Sequence, residues 1–289
     1  MAKSNILIQL DPDPHASVFD ALVAVDSTEL QLLQYHDVAA EQVEKLVHGA
    51  MFTRGPKDLR HTAVFIGGTD VQQGEALLEA TLRCFFGPLR VSVMLDANGA
   101  NTTAVAAVLA AAKHVEISKC RALVLAGTGS VGRRVGRLLA SQGAVVKLAS
   151  RTTERAVAAA QGIADVVDGS SVAGVMVSES RHLPSLLADC DVVVAAGATG
   201  VQLLPQEIWR SSDSLKVLVD LNAVAPAGIE GVDVLDTARV VEGKVIYGAI
   251  GVGGLKIKIH KAAVSRLFES NDQVLNVDEI YTIGESLPD

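Results

Sequence analysis

The sequence predicts an α/β protein with two domains, each built on parallel strands. Short apolar runs typical of buried strands alternate with longer helical patterns along the chain. Only 3% of the residues are aromatic, whereas Ala, Val, Leu and Gly are abundant, as is typical of alanine-rich helices packed on parallel strands. With 289 residues, of which 49% are hydrophobic, the chain is long enough to bury more than one core.

The alternation can be followed element by element. Strands are predicted at 6–9, 62–66, 91–95, 122–126, 145–149, 191–195, 216–220 and 245–247. Helices are predicted at 71–84, 102–114, 131–141, 152–161, 181–188, 250–270 and 277–286. Because strands and helices alternate, the pattern indicates βαβ units and therefore parallel sheets.

A glycine-rich turn lies between a predicted strand and a predicted helix. Gly127, Gly129 and Gly132 form the pattern G-x-G-x-x-G. In this position the first glycine allows a tight turn, the second lets the backbone approach a diphosphate, and the third lets the helix pack close to the strand. The start of the helix offers unpaired N–H groups to phosphates, so the turn predicts a Rossmann-type dinucleotide site, with a purely structural turn as the alternative. The predicted contacts are Gly127, Thr128, Gly129, Ser130, Val131 and Gly132.

The glycine-rich turn also predicts the domain boundaries, because it normally opens the first βα unit of its own domain. We expect a substrate domain at 1–115, completed by about 255–289, and a dinucleotide-binding domain at 116–254. The C-terminal helices are expected to pack back on the first domain. Substrate is expected to bind in a cleft between the domains, beside the nicotinamide.

The second strand of the dinucleotide-binding domain ends in Ser150-Arg151-Thr152, where an acid would select NAD. An Asp or Glu there would bond the ribose 2′-hydroxyl and repel the 2′-phosphate of NADP. Arg151 instead offers a planar, permanently charged fork, and Ser150 and Thr152 add neutral donors. The sequence therefore predicts NADP as the cofactor, with NAD as a weaker one. A solvent-exposed arginine at the start of a helix is the alternative.

Two more residues of the dinucleotide-binding domain follow predicted strands. Gly197 lies in AAGATG and Asn222 lies in DLNAVAPAG. Ligands lie at the carboxyl ends of strands in open parallel sheets, so both residues are candidates for the nicotinamide half of the cofactor. Ordinary turn chemistry is the alternative for both.

The candidate residues for the substrate are polar groups at the ends of predicted elements. Asp20 lies in SVFD, and Asp96, Asn98 and Thr102 lie in MLDANGANTT. These side chains could also cap a helix or shape a turn. Lys256 follows a pair of glycines, which indicate that the last long helix could instead start at 255 and run to 270. The helix dipole disfavours lysine at such a start, so a functional cation is weighed against a solvent-exposed one.

Charge and cysteine usage exclude several classes of function. The formal net charge is −8 without a basic block, which argues against nucleic acid or an anionic membrane as a partner. No run approaches the roughly 18 apolar residues of a membrane span, and the first residues do not resemble a signal peptide. Cys84, Cys120 and Cys190 are widely spaced and the seven histidines are scattered, so we expect no metal site and a cytoplasmic protein.

Seven blocks of the sequence together resemble one enzyme family. They are SVFD, FTRGPKD, FIGGTD, FFGPLRVSVMLDANGANTT, LAGTGSVG, DLNAVAPAGIEGVD and GAIGVGGLKIKIHKAAVSRLFES. From about residue 5 to 285, and least well at 161–184, the chain resembles the bacterial NAD(P)-dependent methylene-tetrahydromethanopterin dehydrogenases. The resemblance implies oxidation of the methylene bridge of a C1-carrying pterin to the methenyl form, and a homo-oligomer. It implies that Asp20, Asp96, Asn98, Thr102 and Lys256 are pterin residues, and that Gly127, Gly129, Gly132, Ser150 and Arg151 are cofactor residues.

Several alternatives stay open on the sequence. The pattern fits both tetrahydromethanopterin and tetrahydrofolate, because both present the same reacting ring. A carboxylate such as Asp20 or Asp96 could favour the developing positive charge or bind the donor edge of the pterin, and Lys256 could fix a pterin carbonyl or a neighbouring carboxylate. The rivals are a shikimate-dehydrogenase-like NADP oxidoreductase, suggested by ASRTTERA, and a non-catalytic NADP-sensing protein.

Overall fold

The computed structural model describes residues 3–288, which form two compact units. Unit 1 contains the chain up to Thr102 and again from Ile257, and unit 2 contains Thr103–Lys256. Both divisions fall inside helices, at 100–112 and 249–266, whereas the sequence predicts boundaries near 115 and 255. The first helix starts in unit 1 because a carboxylate of that unit, Asp96, accepts hydrogen bonds from its first turn.

The α/β fold class predicted from the sequence is confirmed, and all the predicted strands and helices are present to within a few residues. No helix in residues 3–288 combines the length and the apolar character needed to cross a membrane. The strands are β1 (Ile6–Leu10), β2 (Gln31–Tyr35), β3 (Thr62–Ile66), β4 (Ser92–Leu95), β5 (Arg121–Leu125), β6 (Val145–Ser150), β7 (Ser171–Met176), β8 (Val192–Ala195), β9 (Val217–Asp220), β10 (Arg239–Val241), β11 (Lys244–Tyr247) and β12 (Val274–Leu275). The helices are α1 (Val18–Val25), α2 (Val43–Phe52), α3 (Val71–Arg83), α4 (Ala100–Ala112), α5 (Ser130–Ser141), α6 (Thr153–Ala164), α7 (Leu183–Leu187), α8 (Gln206–Arg210), α9 (Ala249–Arg266) and α10 (Val277–Glu285).

Unit 1 is built on a parallel sheet with the strand order β12-β4-β3-β1-β2. All five residues of the central strand β3 are buried, and Met51 of α2 and Leu77 of α3 pack into the same core. Parallel strands all end at one edge of the sheet, so the residues that follow them lie near one another. Asp11, Gly67 and Asp96 directly follow β1, β3 and β4 at this edge.

Unit 2 is built on a sheet with the strand order β10-β11-β9-β8-β5-β6-β7, parallel except for the β10–β11 hairpin. Leu123, Val193 and Leu218 of its central strands are fully buried beside Trp209, whose indole N–H donates to the carbonyl of Glu230 at 2.9 Å. The carboxyl ends of β5, β6, β8 and β9 share one edge. The glycine-rich turns of the sequence lie at this edge, where open parallel sheets bind their ligands.

Candidate functional site

A pocket of about 280 Å³ lies at the carboxyl ends of β5, β6 and β8 in unit 2. Loops from three strands contribute to its walls, so it is the position that the sequence predicts for a dinucleotide. Five of the predicted cofactor residues line it: Thr128, Gly129, Ser150, Arg151 and Gly197.

The three glycines of the turn differ in what the fold itself requires of them. A methyl group on Gly127 would lie 2.9 Å from the carbonyl oxygen of Val124, and one on Gly132 would lie 2.8 Å from that of Ala126. At Gly129 the same group would make an ordinary contact, 3.6 Å from the Ala126 oxygen, and the φ angle of −74° suits any residue. The fold therefore needs the first and third glycines, whereas the open space over Gly129 suits the close approach of a bound group.

Helix α5 begins immediately after this open space. Gly129 is its N-cap residue and makes no side-chain cap, and the amide of Arg133 donates to the Gly129 carbonyl at 3.0 Å. The first N–H groups of a helix, here those of Ser130, Val131 and Gly132, have no partner within the helix. Together with the helix dipole they make a site for an anion. None of these three residues lines the pocket, and it is their amides that would contact a bound anion.

Two arginines line the pocket beside the end of β6. Ser150 ends β6 and is nearly buried, and Arg151 follows it. Arg155 lies four residues further on, in the first turn of α6, and it also lines the pocket with an exposed side chain. The sequence interpretation did not include Arg155, although residues i and i+4 at a helix start lie on the same side. Thr152 is the N-cap residue of α6 and does not line the pocket, which supports a structural role for it.

The loops after β8 and β9 use their predicted residues differently. Gly197 lines the pocket, and a methyl group there would lie 2.6 Å from Cδ1 of Leu203, so a larger residue would displace the Leu203 side chain that also lines the pocket. Asn222 is buried, donates from Nδ2 to the carbonyl of Pro226 at 3.1 Å, and accepts from the amide of Val224 at 3.1 Å. Its side chain thus holds its own loop, which is the turn-chemistry alternative rather than a direct cofactor contact.

In unit 1, the hydrogen bonds at the start of a helix explain two of the substrate candidates. The Asp96 carboxylate is fully buried and accepts from the amides of Asn101 and Thr102 at 2.9 and 3.0 Å, and from the Thr102 hydroxyl at 2.6 Å. We therefore assign Asp96 and Thr102 to the start of α4 rather than to direct contact with the substrate. Asn98 has a left-handed backbone, with φ of 53°, and its amide donates to the carbonyl of Gly68 at 2.5 Å, so it shapes the turn before that helix.

Asp20 lies beside a second carboxylate at the same edge of the unit 1 sheet. It occupies the first turn of α1, where its amide donates to the hydroxyl of Ser17. A methyl group on Gly67 would lie 3.2 Å from Oδ2 of Asp20 and 3.4 Å from Oδ2 of Asp11, so both carboxylates face the backbone at Gly67. Asp11 is fully buried and accepts from the amides of Asp13 and Ser17 at 3.0 and 2.9 Å. The sequence interpretation missed Asp11, which has no motif of its own and is recognised only from the strand that it follows.

Lys256 does not lie at a helix start. Helix α9 begins at Ala249, so Lys256 is in its third turn and the argument from the helix dipole is wrong. His260 lies one turn further on, where it is buried and its ring stacks on Phe65 with centroids 5.4 Å apart. Its Nδ1 lies 3.7 Å from Oδ2 of Asp96. Residues four apart share a helix face, so Lys256 lies on the face of α9 that carries His260.

Other groups with reactive chemistry are not arranged as a site. Burial raises the pKa of the Cys120 thiol to about 11 and that of the Cys190 thiol to about 12, so both stay protonated at neutral pH and are poor nucleophiles. Among residues 3–288, no group of three or more His, Cys, Asp or Glu side chains is placed to hold a metal ion.

Comparison with known proteins finds relatives that match nearly the whole chain. The family model described as methylene-tetrahydromethanopterin dehydrogenase, N-terminal, matches residues 18–98. The bifunctional protein MdtA of Methylorubrum extorquens is 39% identical over 285 residues, which cover 98% of this chain and 99% of that protein. The NAD(P)-dependent methylenetetrahydromethanopterin dehydrogenase of the same organism is 30% identical over 280 residues, or 94% of each chain. The structure of shikimate 5-dehydrogenase from Listeria monocytogenes with shikimate and NAD has a TM-score of 0.54 at 12% identity, covers 97% of this chain and 96% of that chain, and shows a likeness of fold alone.

Proposed function

Because this chain belongs to the methylene-tetrahydromethanopterin dehydrogenase family, we propose that it oxidises 5,10-methylene-tetrahydromethanopterin to the methenyl form and transfers the hydride to NADP⁺. The single observation that supports NADP⁺ is the pair of arginines, Arg151 and Arg155, that line the pocket where an acid would select NAD⁺. NAD⁺ is the weaker cofactor. Methylene-tetrahydrofolate is the second substrate to test, because it presents the same reacting ring.

Separate residues of the pocket match the separate parts of NADP⁺. The open space over Gly129 and the amides at the start of α5 receive the diphosphate. Ser150, Arg151 and Arg155 bind the 2′-phosphate through charge-assisted hydrogen bonds. The loop after β8, with Gly197, borders the nicotinamide half. When bound, the nicotinamide supplies the hydride acceptor.

The chemistry requires positioning rather than a proton relay. The hydride leaves a carbon that lies between two nitrogens, and the resulting cation is delocalised over both, so no proton has to move at that carbon. The protein must hold the carbon in place, exclude water and favour the developing positive charge. A carboxylate meets the last of these requirements, and a cation that binds a pterin oxygen meets the first.

We assign Asp20 and Lys256 to the pterin. Asp20 lies in the first turn of α1 and its carboxylate faces the backbone at Gly67, at the edge of the sheet where the strands of unit 1 end. Its negative charge favours the cation that forms on the reacting ring. Lys256 is half-buried in α9 and offers a cation to a pterin oxygen.

The same proposal covers partners and compartment. We propose a homo-oligomer in the cytoplasm, whose partner molecules are the pterin and the dinucleotide. The net charge of −8 disfavours binding to nucleic acid or to anionic lipid. Light scattering of the purified protein measures the number of subunits.

The proposed function is tested by assaying the purified protein with methylene-tetrahydromethanopterin and methylene-tetrahydrofolate, each with NAD⁺ and with NADP⁺. We expect the highest kcat/KM with the tetrahydromethanopterin substrate and NADP⁺. Oxidation of shikimate instead would favour the shikimate-dehydrogenase-like alternative. Binding of NADPH without turnover of either pterin would favour a sensor.

A further inference from the structure

A buried carboxylate lies behind the nucleotide pocket and takes no part in the proposed chemistry. Asp220, the last residue of β9, is 1% exposed. Its Oδ1 accepts from the amide of Asn222 at 3.0 Å and its Oδ2 accepts from the amide of Ile229 at 2.8 Å. The donors therefore come from both ends of the loop at 221–229.

Burial of a carboxylate is unfavourable unless donors compensate for lost water. Burial raises the pKa of Asp220, while the N–H groups of Ile229, Asn222 and Gly228 act in the opposite direction. The contact is also close, because a methyl group on Gly228 would lie 2.8 Å from Oδ1 of Asp220. The carboxylate thus determines the path of the loop and leaves no room for a larger residue at 228.

The loop in turn holds a wall of the pocket. The carbonyl of Gly228 accepts from the amides of Leu203 and Leu204 at 2.7 and 3.0 Å, and the amide of Glu230 donates to the carbonyl of Leu204 at 2.9 Å. Leu203 lines the pocket and packs against Gly197. A continuous series of short contacts therefore leads from the carboxylate to the pocket.

We propose that Asp220 is a positioning residue for the dinucleotide: its carboxylate joins both ends of the loop at 221–229, and through the carbonyl of Gly228 it holds Leu203 against the bound cofactor. This inference rests on the proposed function in that the pocket takes NADP⁺. Asp220 does not touch the cofactor and acts through the loop.

The test compares two isosteric substitutions on the same sheet. Asp220→Asn replaces one acceptor oxygen with an amide that cannot accept from the loop. Asp191→Asn is the matched control, because its carboxylate accepts from the amide of Arg121 at 2.9 Å and pairs with Lys216 at 2.8 Å, at the opposite edge of the same sheet. For each protein, the Kd for NADP⁺ is measured by titration calorimetry. Amide hydrogen exchange is measured on the peptides that contain Leu203 and on those that contain β8.

In Asp220→Asn we expect the Kd for NADP⁺ to rise about tenfold and the amides of Leu203 and Leu204 to exchange about tenfold faster, with β8 protection unchanged. Asp191→Asn should change neither quantity. An unchanged Kd and unchanged exchange in Asp220→Asn would overturn the proposal, as would an equal effect in Asp191→Asn, since both variants would then act through general stability. Failure of the unaltered protein to bind NADP⁺ refutes the proposed function instead, and the exchange comparison then decides whether Asp220 holds the wall.

Discussion

The two arginines at the pocket make the sharpest prediction about cofactor choice. Arg151 directly follows β6, Arg155 lies in the first turn of α6, and both line the same pocket. The 2′-phosphate is the only chemical difference between NADP⁺ and NAD⁺. We therefore expect Arg151→Ala, Arg155→Ala and the double variant to bind NADP⁺ more weakly and to bind NAD⁺ nearly as before.

The magnitude follows from the exposure of the two side chains. A hydrogen bond to a charged group contributes about 1.5–3 kcal/mol. Both arginines are solvent-exposed before binding, so we take the lower end of this range. About 1.4 kcal/mol corresponds to a factor of ten, so each single variant should raise the KM for NADP⁺ by about tenfold. Because both groups act on one phosphate, the double variant should raise the KM for NADP⁺ by about a hundredfold or less.

The assay measures the KM for NADP⁺ and for NAD⁺ at saturating methylene-tetrahydromethanopterin. Lys216→Ala is the control, because it removes an exposed cation just before β9, at the opposite edge of the sheet. An equal loss with both cofactors would mean that the arginines are structural. A preference for NAD⁺ in the unaltered protein would refute the reasoning about the end of β6.

Three further predictions concern single side chains. Asp20→Ala or Lys256→Ala should reduce kcat/KM for the pterin by at least about a hundredfold, an apparent loss near 2.7 kcal/mol, with NADP⁺ affinity and Tm little altered; near-normal turnover would remove that residue from the site. Asp96→Ala should lower the free energy of unfolding by about 2 kcal/mol or more in chemical denaturation, because it leaves buried donors of α4 unpaired, and an unchanged unfolding midpoint would contradict the cap. The Lys147 ammonium holds the pKa of Asp189 below its usual range, so the carboxylate stabilises the fold above the ordinary Asp pKa of about 3.9, and the stabilisation is lost as pH falls through the lower folded value. Asp189→Asn should thus lower the free energy of unfolding by about 0.2–1 kcal/mol at neutral pH and leave it unchanged in strong acid. A difference in Tm that persists in acid would contradict this assignment.

The buried strands could be predicted from the sequence because a strand that is buried on both faces consists mainly of consecutive apolar residues. All residues of β3 and β4 are buried, and both strands read as continuous apolar runs. The edge strand β2 was missed because most of its side chains are exposed, and the adjacent leucines of QLLQY do not alternate with polar residues as in a half-buried strand. Helix α1 was missed because it exposes apolar residues such as Val18 and Leu22, which hides the usual helical period.

The same distinction explains which site residues could be predicted. Gly129 and Arg151 lie in a motif whose spacing carries the chemistry, and the structure places both at the pocket. Asp11 and Asp220 act through contacts with residues far along the chain or with a loop whose path the sequence does not reveal. The pair of glycines before Lys256 was interpreted as the start of a helix. In the structure, α9 continues through both glycines, because tertiary packing overrides their low helix propensity.

The proposed reaction transfers a hydride from the methylene-pterin to NADP⁺ on this protein. The most direct measurement follows the NADPH and the methenyl-pterin formed in the same reaction of purified protein, methylene-tetrahydromethanopterin and NADP⁺. We expect the two products to appear at equal rates and in equal amounts, and faster than with NAD⁺. Binding of NADP⁺ without formation of the methenyl product, or NADPH formation that does not match it, would refute the proposed hydride transfer.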